Sequence, residues 1–349
     1  MNVCSQVLKN RKGMALLLVI SLVSVLSIVT LQFNREMREG YVISGSLGNS
    51  TKLSEMTRSG IIIGEQILLA DLDENEFDSL HDSWALLGEE DLSVLFNLGD
   101  LTVEVQDEGG KYQVNAVAVQ EIENPLQGTD LAAEKAKQEQ HAKDVRNVLW
   151  RLLRADPFLV EDGDAREIID ALIDWTDSGD DDGEEEYGAE ENYYRSLDPP
   201  YSCKNGPIES IEELLMVKGF TPELLYGTEE TPGLAPLLTP WGSDGKININ
   251  SADVLLLQAL EWGLDKETAE GMIDYREDEN NKEELKTVTW YKKVPSFPSA
   301  VELEENRTTT VSNFFTIKAS ATIEKQKKIV TATVERAEKT IKIRRWDSN

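Results

Sequence analysis

NRKGMALLLVISLVSVLSIVTLQFNREMREG, residues 10–40, sets a cationic cluster, one glycine and a long apolar run in a row. Lys9, Arg11 and Lys12 are cationic, so this end is expected to stay on the cytoplasmic side of a membrane. The eighteen residues from Met14 to Leu31 carry no charge. As a helix they would span about 27 Å, just enough to cross a bilayer core. A secretory signal peptide would close with a small-x-small cleavage site. The residues that follow, LQFNREMREG, offer none, so the run is expected to be kept as an anchor.

The 349 residues suffice for two domains, and their formal net charge is −30. That charge opposes nucleic-acid binding, which needs cations to displace counterions. It suits a self-repelling soluble head, or one that collects cations. Cys4 and Cys203 are the two cysteines, and so few thiols say little about redox compartment.

Helical character continues past the anchor. In STKLSEMTRSGIIIGEQILLADL, Leu53, Met56, Ile63, Ile67 and Leu68 recur at three- and four-residue intervals. Gly60 and Gly64 weaken this helix without ending it. In LTVEVQDEGGKYQVNAV, Leu101, Val103 and Val105 alternate with polar residues. Gly109-Gly110 reads as the turn of a β-hairpin that resumes at Val114 and Ala116. NFFTIKASATI, KIVTATVERA and TIKIRRW near the C-terminus alternate in the same way, with a charged turn, EKQKK, between the first two.

Between the two strand groups the pattern is helical. TDLAAEKAKQEQHAKDVRNVLWRLLRA gathers Val145, Val148, Leu149, Leu152 and Leu153 on one face. DAREIIDALIDWTD buries Ile168, Ile169, Leu172 and Ile173. SIEELLMVKGF is expected as a third helix, capped near Gly219. NSADVLLLQALEWG and DKETAEGMIDYRE form a helix pair around Gly263. The pair has the shape of a DNA-binding helix-hairpin-helix. It lacks a basic stripe, so a packing module is expected instead. The fold class expected is α+β: a long helix and a small antiparallel sheet, interrupted by a helical insertion.

From Asp174 to Asn192 the chain carries Asp174, Asp177, Asp180, Asp181, Asp182, Glu184, Glu185, Glu186, Glu190 and Glu191, and no Lys or Arg. Such a loop either stays extended in water or collects a hard cation. Calcium takes six to eight oxygens and suits carboxylates. Ile173 and Trp175 on one side and Tyr193, Tyr194 and Leu197 on the other pin the loop. The expected ligands are those nearest the pinned ends: Asp174, Asp177, Asp180, Glu190, Glu191 and Asn192. Aligning Gly183 with the EF-hand glycine puts Ser178 and Ala189 at ligand positions, so any site is irregular. No catalytic constellation stands out. His81 and His141 have no evident partners, and Cys203 lacks a basic neighbour to activate it.

Gly13 directly after the basic cluster resembles a type IV prepilin leader. The series VEVQDEGGKYQVNAV, ALIDWTDSGDDDG, AEENYYRSLDPPYSCKNGPIESIEELLMVKGF, KININSADVLLLQAL and KIRRW runs in the order found in the K-type minor pseudopilins of type II secretion systems. This resemblance covers nearly the whole chain. It implies a pseudopilin fold divided as leader 1–13, transmembrane and filament-core helix 14–35, first part of the head 36–120, helical insertion with helix-hairpin-helix or SAM-like modules 121–286, and C-terminal strands 287–349.

The resemblance also implies cutting by a prepilin peptidase between Gly13 and Met14, with methylation of the new terminus. Loss of Lys9, Arg11 and Lys12 takes the formal charge from −30 to −33. The family's usual glutamate at the fifth mature position is Leu18 here, as suits a tip subunit with no neighbour above it. Calcium in the acidic loop is likewise implied. So are I- and J-type minor pseudopilins and the major pseudopilin as partners, with an inner-membrane anchor and a periplasmic head. The contrasting expectation is a membrane-anchored periplasmic enzyme that acts on cell-wall glycan through a carboxylate pair.

Overall fold

The computed structural model describes residues 11–96, 99–119, 131–177, 185–337 and 339–348. Helix α1, Arg11–Glu74, runs 64 residues without a break. Its N-terminal half exposes apolar side chains such as Met14, Leu18, Leu31, Phe33, Ile43 and Leu47, and the first contact with the sheet comes at Ser46, whose Oγ accepts from Gln326 Nε2 at 2.9 Å. This is the one helix among the described residues that is long and apolar enough to cross a membrane. From Leu53 onward, Leu53, Met56, Ile61 and Leu68 are buried.

That face lies on a four-stranded antiparallel sheet in the order β1-β6-β7-β8: β1 Asp100–Asp107, β6 Phe314–Ile323, β7 Gln326–Ala337 and β8 Thr340–Ser348. Alternation puts Leu101 and Val103 of β1, Phe315, Ile317, Ala319, Ala321 and Ile323 of β6, and Val330, Ala332 and Val334 of β7 under the helix. The two glycines of α1 have a steric reason. A Cβ on Gly60 would come within 2.9 Å of Ala319 and Val103, and one on Gly64 within 2.8 Å of Ile317. They let the helix settle close on the sheet. Trp84, in the short α2, Ser83–Leu86, closes one end against Phe315 at 5.3 Å between ring centroids.

The expected hairpin at Gly109-Gly110 does not form. Strand β1 pairs with β6, far along the chain. Beyond the glycines, β2, Tyr112–Gln113, pairs in parallel with β3, Leu238–Thr239, and Val114–Ala116 is a 3₁₀ turn. Tyr112, Val114, Ala116 and Val117 are core residues of the helical body, and Tyr112 donates to the Val145 carbonyl at 3.2 Å. The glycines serve close approach: a Cβ would meet Ser312 Oγ at 2.3 Å from Gly109 and Ser251 Oγ at 2.5 Å from Gly110.

The helical body contains α3 Leu131–Arg154, α4 Asp162–Thr176, α5 Glu191–Arg195, α6 Pro222–Tyr226, α7 Val254–Leu260 and α8 Lys266–Glu277. The third expected helix is a 3₁₀ segment, Ile211–Met216. Gly219 follows it at φ 89°, where an added Cβ would strike Ile168. A short parallel pair, β4 Ile247–Asn248 with β5 Thr308–Thr309, ties the body back to the sheet. The body's core also takes in Trp290, Tyr291, Val294 and Leu303. It therefore extends on both sides of the 121–286 span.

The two bodies meet at a buried polar junction. Arg336 of β7 donates to Asp71 at 3.1 Å, to the Ser312 carbonyl at 3.0 Å and to Asp78. Asp78 accepts the Ser312 N–H at 2.7 Å. Asp107, at the end of β1, accepts from Ser312 Oγ at 2.8 Å, Asn248 Nδ2 at 3.1 Å and Ser251 Oγ. Asn250 reaches the Asp78 and Leu285 carbonyls and accepts from Trp290 Nε1 at 2.8 Å. Burial pushes Asp78 up to about 7, against the pull of Arg336, and raises Asp107 as well.

Candidate metal centre

Helix α4 carries Ala165, Ile168, Ile169, Leu172 and Ile173 into the body's core at helical spacing. Asp174, in its last turn, is 0% exposed. The returning segment 185–190 covers it. Asp174 Oδ1 accepts the Glu185 N–H at 3.1 Å, and Oδ2 accepts the Ala189 N–H at 2.7 Å. Asp170, one turn earlier, takes the Tyr187 N–H at 3.2 Å. Burial pushes Asp174 up to about 6 even with two N–H donors opposing it, and Asp177 beside it adds to the rise.

Asp177 terminates α4, its N–H on the Ile173 carbonyl at 2.9 Å. Glu190 stands at the N-cap of α5. One carboxylate oxygen from each of Asp174, Asp177 and Glu190 falls within 4.8 Å of the others. Behind them stands an aromatic wall: Trp175 meets Tyr194 at 5.0 Å, and Tyr194 meets Tyr201 at 5.3 Å. Trp175 Nε1 donates to Glu213 at 2.9 Å, which also holds Lys204 at 2.9 Å.

Of the six expected ligands, three converge. Glu191 does not join them. It binds Arg195 and accepts the Cys203 N–H at 2.8 Å, and these partners hold its carboxyl below the usual range. Asn192 is exposed on α5. Asp180 lies outside the described residues. The converging donors are all hard carboxylate oxygens, with neither imidazole nor thiolate among them, which suits calcium over softer transition metals. Gly188 was not singled out from sequence, yet the corner depends on it, because a Cβ there would lie 1.8 Å from Asp174 Oδ2. Its only signal was a glycine just after the acidic run, where the chain turns back.

The other reactive side chains are occupied or muted. Burial pushes the Cys203 thiol up to about 11. His81 and His141 do have partners: each ring Nε2 lies 2.7 Å from a backbone carbonyl, of Arg276 and Asp244 respectively. Gly13 and Met14 lie on the bare stretch of α1, with nothing within 4 Å of a Cβ built at Gly13.

A long helix laid on a four-stranded antiparallel sheet, with a helical body inserted between β1 and β6, is the architecture expected of a pseudopilin fold. Residues 95–229 match the family model described as type II secretion system (T2SS), protein K. Type II secretion system protein K of Aeromonas hydrophila is 29% identical over 245 residues, 70% of this chain and 68% of that protein. The Pseudomonas aeruginosa protein of the same name is 25% identical over 182 residues, 51% of this chain and 45% of its own length. In fold, the chain is similar to a chain of the GspK-GspI-GspJ complex from enterotoxigenic Escherichia coli. The TM-score is 0.61 at 18% identity, over 88% of this chain and 99% of that one. Over most of its length the chain is similar to type II secretion system protein K, and its fold is that of the solved complex's chain.

Proposed function

We propose that this chain caps a short periplasmic pseudopilus, where it helps initiate assembly and export of folded proteins, and that it is not an enzyme. The observation that carries this reading is the architecture. A bare apolar helix leads into a pilin-like head, and that head bears a helical body larger than itself. Lateral packing in a filament shaft would be obstructed by such bulk, whereas a filament end accommodates it. Leu18 fits the same place, since no carboxylate awaits a terminal amine from a subunit above.

The head also leaves room for a partner helix. Ile343 and Trp346 of β8 stand opposite Val334 and Ala332 of β7, on the side of the sheet that α1 covers. They lie past the edge of α1 and remain 48% and 44% exposed. The partners proposed are I- and J-type minor pseudopilins, whose helices would pack beside α1, and below them the major pseudopilin. Processing is proposed between Gly13 and Met14 by a prepilin peptidase, leaving an inner-membrane anchor and a periplasmic head. Calcium is proposed at Asp174, Asp177 and Glu190, with Asp180 and backbone or water oxygens completing the shell. Glu191 and Asn192 are at most supporting groups. The cation would neutralise a corner that α4 and α5 otherwise hold against its own repulsion.

Co-expression of the full chain with I- and J-type subunits and the peptidase tests the reading. Affinity capture in detergent should recover the partners with a chain whose mass begins at Met14. Ile343→Asp with Trp346→Glu should reduce that recovery. A chain that captures neither partner, yet hydrolyses a glycan, would overturn the assignment.

A further inference from the structure

A groove of about 800 Å³ opens on the helical body and shares no residue with the acidic corner. Its floor is a pair of indoles. Trp150 comes from α3 and Trp262 from the turn between α7 and α8, with ring centroids 5.7 Å apart at an interplanar angle of 63°. Arg154 stacks over Trp150 at 4.4 Å. Gly263, at φ 91°, makes the turn that lifts Trp262, which is 64% exposed. An indole held out this far contributes little to the fold and presents a flat apolar platform.

The lining balances in charge: Arg151, Arg154 and Lys266 against Asp156, Asp253 and Glu261. In a chain of net charge −30, such balance is local. A polyanion or a polycation would meet like charges here, so the groove suits a neutral ligand. Its rim both donates and accepts. Gln258 is half-buried with an amide that makes no hydrogen bond to the described residues, so it offers donor and acceptor together.

An extended polypeptide finds little here. The last carbonyls of α7, Ala259 and Leu260, already accept from Arg151, each at 2.6 Å, and Leu260 accepts from Arg307 at 2.8 Å. Pro157 and Pro232 in the lining bring no N–H. Along this wall the backbone therefore offers an extended peptide few groups to pair with. A ligand with an apolar C–H face and a periphery of hydroxyls matches both platform and rim. We propose that this groove binds a neutral saccharide, with a pyranose face on Trp262 and hydroxyls at Gln258, Asp156 and Arg154.

Titration calorimetry of the full chain with tetra-N-acetylchitotetraose tests this, in a detergent without a sugar headgroup. Saturable binding is expected in the millimolar range or tighter, with the oligosaccharide left intact. Trp262→Ala should weaken it at least about tenfold without altering the thermal melt, and Gln258→Ala should weaken it several-fold. Gln258→Ala provides the comparison if Trp262→Ala does not fold. No saturable heat, equal affinity in the variants, or a proline-rich peptide binding in place of the sugar would each overturn the proposal.

Discussion

Gly188 is the residue on which the acidic corner turns. The segment it belongs to gives two N–H groups to Asp174 and brings Glu190 into range. Even a methyl group at position 188 would collide with the Asp174 carboxylate. Gly188→Ala should therefore push residues 185–190 away and separate the three carboxylates. The native chain, melted in calcium and again in chelator, should gain several degrees with the ion, about 2.7 kcal/mol at a hundredfold excess over Kd. Gly188→Ala should lose that difference. A native chain indifferent to calcium, or a variant with an undiminished gain, would leave only a solvated acidic turn.

Among elements, α1 shows how position decides what a glycine does. Gly48 has nothing within 4 Å of a built Cβ, whereas Gly60 faces Ala319 and Val103. Gly48→Ala should leave stability unchanged or raise it by up to about 1 kcal/mol, through helix propensity alone. Gly60→Ala should lower it by about 1–3 kcal/mol, because the sheet must give way. Urea unfolding of the two variants should show opposite signs. Equal effects would mean the helix does not sit as close as described. Periodicity made the helices α3, α4, α7 and α8 and the C-terminal strands legible, because their apolar spacing is local. The partner of β1 was not legible, because it lies across the helical body and no local pattern encodes it. Gly109-Gly110 looked like a turn, although its purpose is contact with Ser312 and Ser251. In the acidic corner, the pinned ends pointed to Asp174, Asp177 and Glu190. Arg195, four residues after Glu191, was a readable warning that this carboxylate was already engaged.

At the scale of the whole molecule, the head and the helical body are joined through one guanidinium and three carboxylates, Asp71, Asp78 and Asp107, all nearly inaccessible. Burial of the Asp78 carboxyl outweighs the pull of Arg336 and the Ser312 N–H, and Asp107 beside it adds to the rise, so Asp78 holds a proton up to about 7. The folded form thus binds a proton that the unfolded chain releases near pH 4. The stabilisation is complete below that pH and declines as pH rises toward about 7. Urea midpoints measured between pH 5 and 8 should fall with pH, and Asp78→Asn should flatten the slope. A slope unchanged in the variant would place the titration elsewhere. Arg336→Met should be far more damaging, about 3–5 kcal/mol, since it strands the buried carboxylates.

Glu108 and Thr316, 208 residues apart in the chain, hydrogen-bond at 2.8 Å where β1 meets β6. During synthesis, β1 emerges and then waits. At roughly 5–20 residues per second, about 10–40 s pass before its neighbour exists. Through that interval α1 is already available to the membrane, while its sheet-facing side and β1 have no complete surface to cover them. The last core residue of the helical body is Leu303 and that of the sheet is Val334, so synthesis completes the body's core before the sheet's. The pilin-like head, although it begins first in sequence, is the last part for which every strand has been synthesised.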